Sequence, residues 1–201
     1  MIDKILHKGE FFSKIGAWVG GTILLATSVL ITIEVILRKL FSISLGGADE
    51  ISGYAMAASC SWAFAYALFK KAHIRVDVLY VKFPQAIKYF LDITSLVLFA
   101  IYMSVLSYFA FHVFLTSLNR HSTANTPLHT PLWIPQLIWT SGLIFFTLSI
   151  FLILAGTLTY FFRKDVVAAQ RLSGATTLEE EIVEGTVKTD HENEEPSGGL
   201  K

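Results

Sequence analysis

At 201 residues, 53% of them hydrophobic and 16% charged, this chain departs from the composition of a soluble domain, where about a quarter of residues carry charge. Its sixteen basic and sixteen acidic residues cancel to a formal net charge of zero, with the acids clustered in the last quarter, so the composition offers no argument for the cationic field that nucleic-acid binding needs. Cys60 is the single cysteine, so an internal disulfide and a cysteine-built metal cluster are excluded as well.

Residues 1–14 place Ile2, Ile5, Leu6 and Phe12 near one face of a helix, with lysines elsewhere. That is the pattern of a short amphipathic segment in the membrane interface; a plain flexible N-terminus is the alternative. The first apolar run, residues 15–37, can cross a hydrocarbon core of about 30 Å, which takes about 20 helical residues. It is too long for the h-region of a secretory signal and no A-x-A-like site follows, so it is expected to be retained. Gly16 and Gly20 form a GxxxG pair. Glu34 and Arg38 stand at i, i+4 near the outer end of the run, where a charge pair is geometrically natural.

Asp49 and Glu50 open the second run, residues 50–70, and are further candidate partners for Arg38. This run carries two rows of small residues at i, i+4 spacing: Gly53, Ala57, Ser61 and Ala65, and Ala55, Ser59, Ala63 and Ala67. By the 3.6-residue period the rows lie about 200° apart. Small residues let membrane helices approach closely, so two nearly opposite rows predict a helix sandwiched between neighbours. Those neighbours are either the chain's own helices or, on one face, a separate subunit. Cys60 lies in the same run, where a thiol serves as a small hydrophobe.

The middle loop, residues 71–87, mixes Ile74, Val78, Leu79, Val81 and Phe83 with basic residues and is expected to lie on the inner surface. The third run, residues 89–118, holds one histidine, His112, expected as a hydrogen-bonded structural residue. Asp92, close to the inner surface, is expected in water. In the outer loop Pro127, Pro131 and Pro135 are expected to keep the chain extended until the last span begins, with Trp133 at the interface. The fourth run, residues 132–162, contains nothing more polar than Gln136; the third and fourth exceed a minimal span and are expected to tilt or project. Beyond them, residues 163–201 gather Glu179, Glu180, Glu181, Glu184, Asp190, Glu192, Glu194 and Glu195, a composition expected to form a disordered acidic cytoplasmic tail.

These runs are continuously apolar, not alternating, so the fold class is an all-α membrane protein with four transmembrane helices and interfacial segments at the N-terminus and mid-chain. Lys4, Lys8, Lys14, Lys70, Lys71, Arg75, Lys82, Lys88, Arg163, Lys164 and Arg171 fall on one side, against Arg38, Lys39 and Arg120 on the other. The positive-inside rule then places both termini in the cytoplasm. A haem-bearing electron-transfer anchor would need facing axial histidines, but only His112 lies within a span. A self-sufficient transporter would place polar residues or broken helices near the midplane, and the span centres are apolar or small. No catalytic, substrate-binding or metal-ligating residue and no cofactor is expected. A scaffold or accessory subunit fits best, with a membrane anchor of another complex as the alternative.

Four pieces of sequence then share one resemblance. Glu34 with Arg38, the segment Gly47-Ala48-Asp49-Glu50-Ile51-Ser52-Gly53-Tyr54, the stretch His73-Ile74-Arg75-Val76-Asp77, and Pro131-Leu132-Trp133-Ile134-Pro135 resemble, in order and spacing, the DctQ-type small membrane subunit of tripartite ATP-independent periplasmic (TRAP) transporters. The resemblance covers roughly residues 15–162. It implies a bacterial inner-membrane protein that assembles with a large permease subunit, to which a periplasmic substrate-binding protein delivers an organic acid or related solute. It implies uptake driven by a cation gradient, with substrate and ion sites on the large subunit and a scaffold role for the small one. On this resemblance, Glu34, Arg38, Asp49 and Glu50 form an outer charge cluster that orders the first loop or meets a partner. His73, Arg75 and Asp77 hold the inner interfacial segment and its lipid headgroups.

Overall fold

The computed structural model describes residues 2–44, 46–71 and 84–162, which form four α-helices: α1 (Ile2–Phe41), α2 (Ala48–Phe69), α3 (Gln85–Asn119) and α4 (Trp133–Phe162). Helix is the only regular way for such apolar runs to satisfy every backbone N–H and C=O without water. The ends follow local chemistry. Asp49 and Glu50 sit in the first turn of α2, and Arg38 and Lys39 in the last turn of α1, each facing the helix-dipole end of opposite sign. Pro84 caps α3, and Pro135 lies in the first turn of α4, where the missing N–H has no intrahelical partner to lose. Three helices close on a residue in the left-handed region: Ser42 (φ 54°), Lys71 (φ 54°) and His121 (φ 51°).

Of these, Lys4–Phe41, Phe90–Asn119 and Trp133–Tyr160 are each long and apolar enough to cross a membrane. α2 has 22 residues, about 33 Å at 1.5 Å per residue, but its alanines, serines and glycines dilute its hydropathy. Its place in the bundle accounts for that composition, because α2 lies between α1 and α4. α3 packs on the other side of α4, so the helices follow the order α1, α2, α4, α3, with a smaller direct contact between α1 and α4. The four-helix, all-α membrane class read from the sequence is the class observed.

α1 has no break near residue 14. Its first turns lie against the end of α2: Leu6 and Ser13 are buried, Glu10 pairs with Lys70 Nζ at 2.7 Å, and a Cβ on Gly9 would lie 2.9 Å from the Phe69 ring. The core runs along α4, where Leu143, Phe146, Ile150 and Ile153 meet Leu96, Ala100 and Met103 of α3 and Ala65 and Leu68 of α2. Apolar burial gains little against lipid, so close packing and interhelical hydrogen bonds, about 0.6 kcal/mol each, hold the helices together.

Three local expectations are corrected. His112, expected to be hydrogen-bonded, is exposed, and among the described residues its ring meets Tyr108 edge-on without a hydrogen bond to the imidazole. Asp92, expected in water, is 3% exposed, on the side of α3 that also buries Leu96, Ala100 and Met103. The outer loop does not stay extended: residues 119–132 fold back into a short hairpin with an antiparallel bridge between Thr123 and Pro131. Ala124 N donates to Thr130 O at 2.9 Å and Leu132 N to Ser122 O at 3.0 Å. Both bonds flank Pro131, so its missing N–H costs the ladder nothing. The expectations for His73, Arg75 and Asp77 and for the acidic tail concern residues outside those described.

Candidate functional site

The end of the bundle carrying Phe41, Ala48, Asn119 and Trp133 is called outer here, after the expected orientation. Two carboxylates organise it. Glu34, 2% exposed on α1, accepts from Arg38 Nη2 at 2.6 Å and Nε at 3.3 Å; the Arg38 side chain itself is 56% exposed. The same oxygen, Oε1, accepts from Ser44 Oγ at 2.8 Å, and Ser44 Oγ in turn accepts from Gly46 N at 3.2 Å. A buried carboxylate therefore ties the end of α1 to the α1–α2 loop. Such a charge is tolerated at membrane depth only with its bonds made. In that loop Gly46 takes φ +69°, a conformation that side chains other than glycine's resist.

Glu50 is held differently. Thr126 Oγ1 donates to its Oε2 and Tyr54 OH donates to its Oε1 at 2.8 Å, and together with nearby Thr130 they hold the carboxyl below the usual carboxylate range. The carboxylate at the start of α2 thus fastens the hairpin loop across the outer end of the bundle. Leu128, at the loop tip, fills the space over Gly47, where any Cβ would collide with its side chain. Arg38 is therefore paired by Glu34 along its own helix, while Glu50 is engaged by loop hydroxyls. Asp49 is exposed and contributes only a weaker attraction to Arg38. Tyr54 belongs to the Gly47–Tyr54 segment named above, without a role assigned there, whereas Ser44, Thr126 and Thr130 lie outside every motif; Thr126 lies 76 positions from Glu50, a separation that local spacing does not reveal.

The two rows on α2 divide between neighbours. Ser59, in the row with Ala55, Ala63 and Ala67, donates to Gly20 O of α1 at 2.9 Å. A Cβ on Gly20 would lie 3.1 Å from Ser59 Cα, so glycine permits this approach. Of that row Ala55 and Ser59 are buried and Ala63 and Ala67 half-buried. In the other row Ser61 and Ala65 are buried, Ser61 against Gly142 of α4, while Gly53 and Ala57 are exposed. Trp62, between the rows, donates its indole N–H to Ile138 O at 3.2 Å and stacks on Phe145 at 5.6 Å. Gly16 lies under the Trp62 ring, and Gly142 is a second close approach the sequence did not flag. Cys60 is half-buried and its thiol is free.

Most deeper hydroxyls are spent within the bundle; among the described residues Thr140 Oγ1 and Gln136 Oε1 of α4 are buried with no hydrogen-bond partner. Ser107 and Thr147 bond each other at 2.8 Å between α3 and α4, and Ser149 and Thr157 return to the carbonyls of Phe145 and Ile153, each at 2.9 Å. Among the described residues no group of three His, Cys, Asp or Glu side chains is placed to hold a metal ion.

No curated protein and no solved structure matches this chain. The family model described as "Tripartite ATP-independent periplasmic transporters, DctQ component" matches residues 27–159, well over half of the sequence and spanning the outer cluster, all of α2 and α3 and most of α4. The chain belongs to the DctQ family and is a membrane component of a TRAP transporter.

Proposed function

We propose that this chain is the fixed small subunit of its transporter, a scaffold that supports the large permease subunit in a bacterial inner membrane, with both termini inside. On this reading it binds no solute and carries out no enzymatic step. A periplasmic binding protein delivers an organic acid or similar solute to the large subunit, and a cation gradient drives uptake. The observation that carries the reading is how most of the hydroxyls packed between the helices are used. The bonds of Ser59, Ser107, Ser149, Thr147 and Thr157 join the helices to one another or return to their own backbone. A solute site at membrane depth instead needs convergent polar groups held open for the ligand. The charged cluster of Glu34, Arg38, Asp49 and Glu50 lies at one end of the bundle, where it orders two loops at a surface suited to meeting a partner.

The test is co-expression of the tagged chain with the large permease subunit, followed by purification in mild detergent. The two are expected to elute together in a fixed ratio. Recovery of the chain alone from membranes that contain both would overturn the proposal.

A further inference from the structure

Along α3, Ser104, Tyr108, His112 and Thr116 follow one another at i, i+4 spacing. Ser104 and Thr116 return their hydroxyls to the carbonyls one turn back, Ala100 at 2.6 Å and His112 at 2.8 Å. Tyr108 and His112 have no such recourse, because their polar atoms stand at the far side of a ring. Tyr108 is 60% exposed, and its ring meets that of exposed His112 edge-on, with centroids 4.5 Å apart. Among the described residues neither the phenol hydroxyl nor the imidazole nitrogens has a hydrogen-bond partner.

Their depth makes this costly. The apolar stretch Phe90–Asn119 has its midpoint between Ser104 and Val105. At 1.5 Å per residue Tyr108 lies about 5 Å and His112 about 11 Å from that midpoint, both within the roughly 15 Å half-thickness of the hydrocarbon. Lipid tails offer such groups nothing, and polar residues at this depth characteristically face protein. The same side of α3 forms a groove with α4, lined by Ser104, Tyr108 and Phe111 on one wall and Ile144, Leu148 and Phe151 on the other. A second groove, between α1 and α2, makes no comparable demand. Its Thr22 is satisfied by Trp18 O at 2.9 Å, and Trp18 and Tyr66 lie near the inner ends of their runs, where aromatic rings meet headgroups.

We propose that the α3–α4 groove is the seat of the large permease subunit, and that one of its membrane helices brings a hydrogen-bonding group to Tyr108 and His112. The inference rests on the scaffold reading above and adds the face on which the partner sits. The lipid-facing side is then the exposed side of α1, whose hydroxyls at Thr22 and Thr32 are returned to the backbone at 2.9 and 2.8 Å.

The test uses the co-expressed complex in membranes, with a benzophenone amino acid placed at Phe111 in one variant and at Leu25 in another. Illumination is expected to join the chain to the large subunit from position 111 and not from position 25. In parallel, Tyr108→Phe is expected to lower co-purification about threefold, the worth of one interhelical hydrogen bond in a membrane, while leaving the melting of the isolated chain unchanged. On a lipid-facing surface the same variant would leave co-purification at the wild-type level. An adduct from position 25 and none from 111 in an intact complex overturns the seat but leaves the scaffold reading standing. If the unmodified chain captures no large membrane subunit at all, the scaffold reading fails and the seat with it.

Discussion

Replacing Gly142 by alanine places one methyl group where α4 meets α2. The new Cβ would overlap the Ser61 hydroxyl and lie 2.8 Å from Trp62 Cδ1 and 2.9 Å from Ser61 Cβ. Carbon atoms in good contact sit about 3.5–4.0 Å apart, so the helices must separate by about an ångström or the indole must turn. Neither adjustment is free. Trp62 is stacked on Phe145 and bonded to Ile138 O, and Ser61 Oγ is bonded to Ala58 O at 2.9 Å. Overpacking of this kind costs about 1–3 kcal/mol. Loss of the Trp62 bond adds about 0.6 kcal/mol in a membrane setting. Alanine's better helix propensity offsets up to about 1 kcal/mol. The expected outcome is a net destabilisation of about 0.5–3.5 kcal/mol. Gly53→Ala is the control, since a Cβ there meets nothing within 4 Å, and it should be neutral or slightly stabilising. Reversible unfolding by SDS in mixed micelles, followed by tryptophan fluorescence, reads both. Equal midpoints for the two variants would refute the close approach of α2 and α4 at this level.

Other substitutions separate the parts of the outer cluster. Arg38→Ala removes the cation bonded to the buried Glu34 carboxylate, so it should lower the melting temperature and co-purification more than Glu34→Gln, which removes the charge but keeps an acceptor for Ser44; the reverse order in paired melts would contradict the assignment. Glu50→Ala should free the hairpin loop without loosening the bundle, read as faster amide exchange over residues 122–132 at unchanged exchange within α4. Gly20→Val should part α1 from α2 and reduce the folded yield severalfold, whereas Ser59→Ala, which removes one bond of about 0.6 kcal/mol, should be mild; equal yields would place Gly20 away from α2.

What the sequence conveyed was what depends on composition and local period. Continuous apolar runs dictate helices in lipid, and the order of the Glu34, Gly47, His73 and Pro131 segments pointed to the DctQ family that the match over residues 27–159 shows. The arrangement of the helices was not legible, because nothing local says that α4 enters beside α2 and leaves α3 outside it. The small rows of α2 mark potential contact faces by period alone. That period does not say how far a neighbour extends, and Gly53 and Ala57 remain exposed while Ser61 and Ala65 further along the same row are buried. Nearness to a span end does not decide contact with water: Asp92 is buried while its neighbours Phe90 and Leu91 are exposed. The hairpin and its bonds to Glu50 depend on contacts between residues about 76 positions apart, beyond the reach of motif spacing.

The most direct measurement is solute uptake into proteoliposomes that hold the large permease subunit with or without this chain, supplied with the binding protein, its solute and a cation gradient. Uptake is expected only when both subunits are present, and liposomes holding this chain alone should accumulate nothing. Full uptake by the large subunit alone, or any gradient-driven uptake by this chain alone, would contradict the scaffold account.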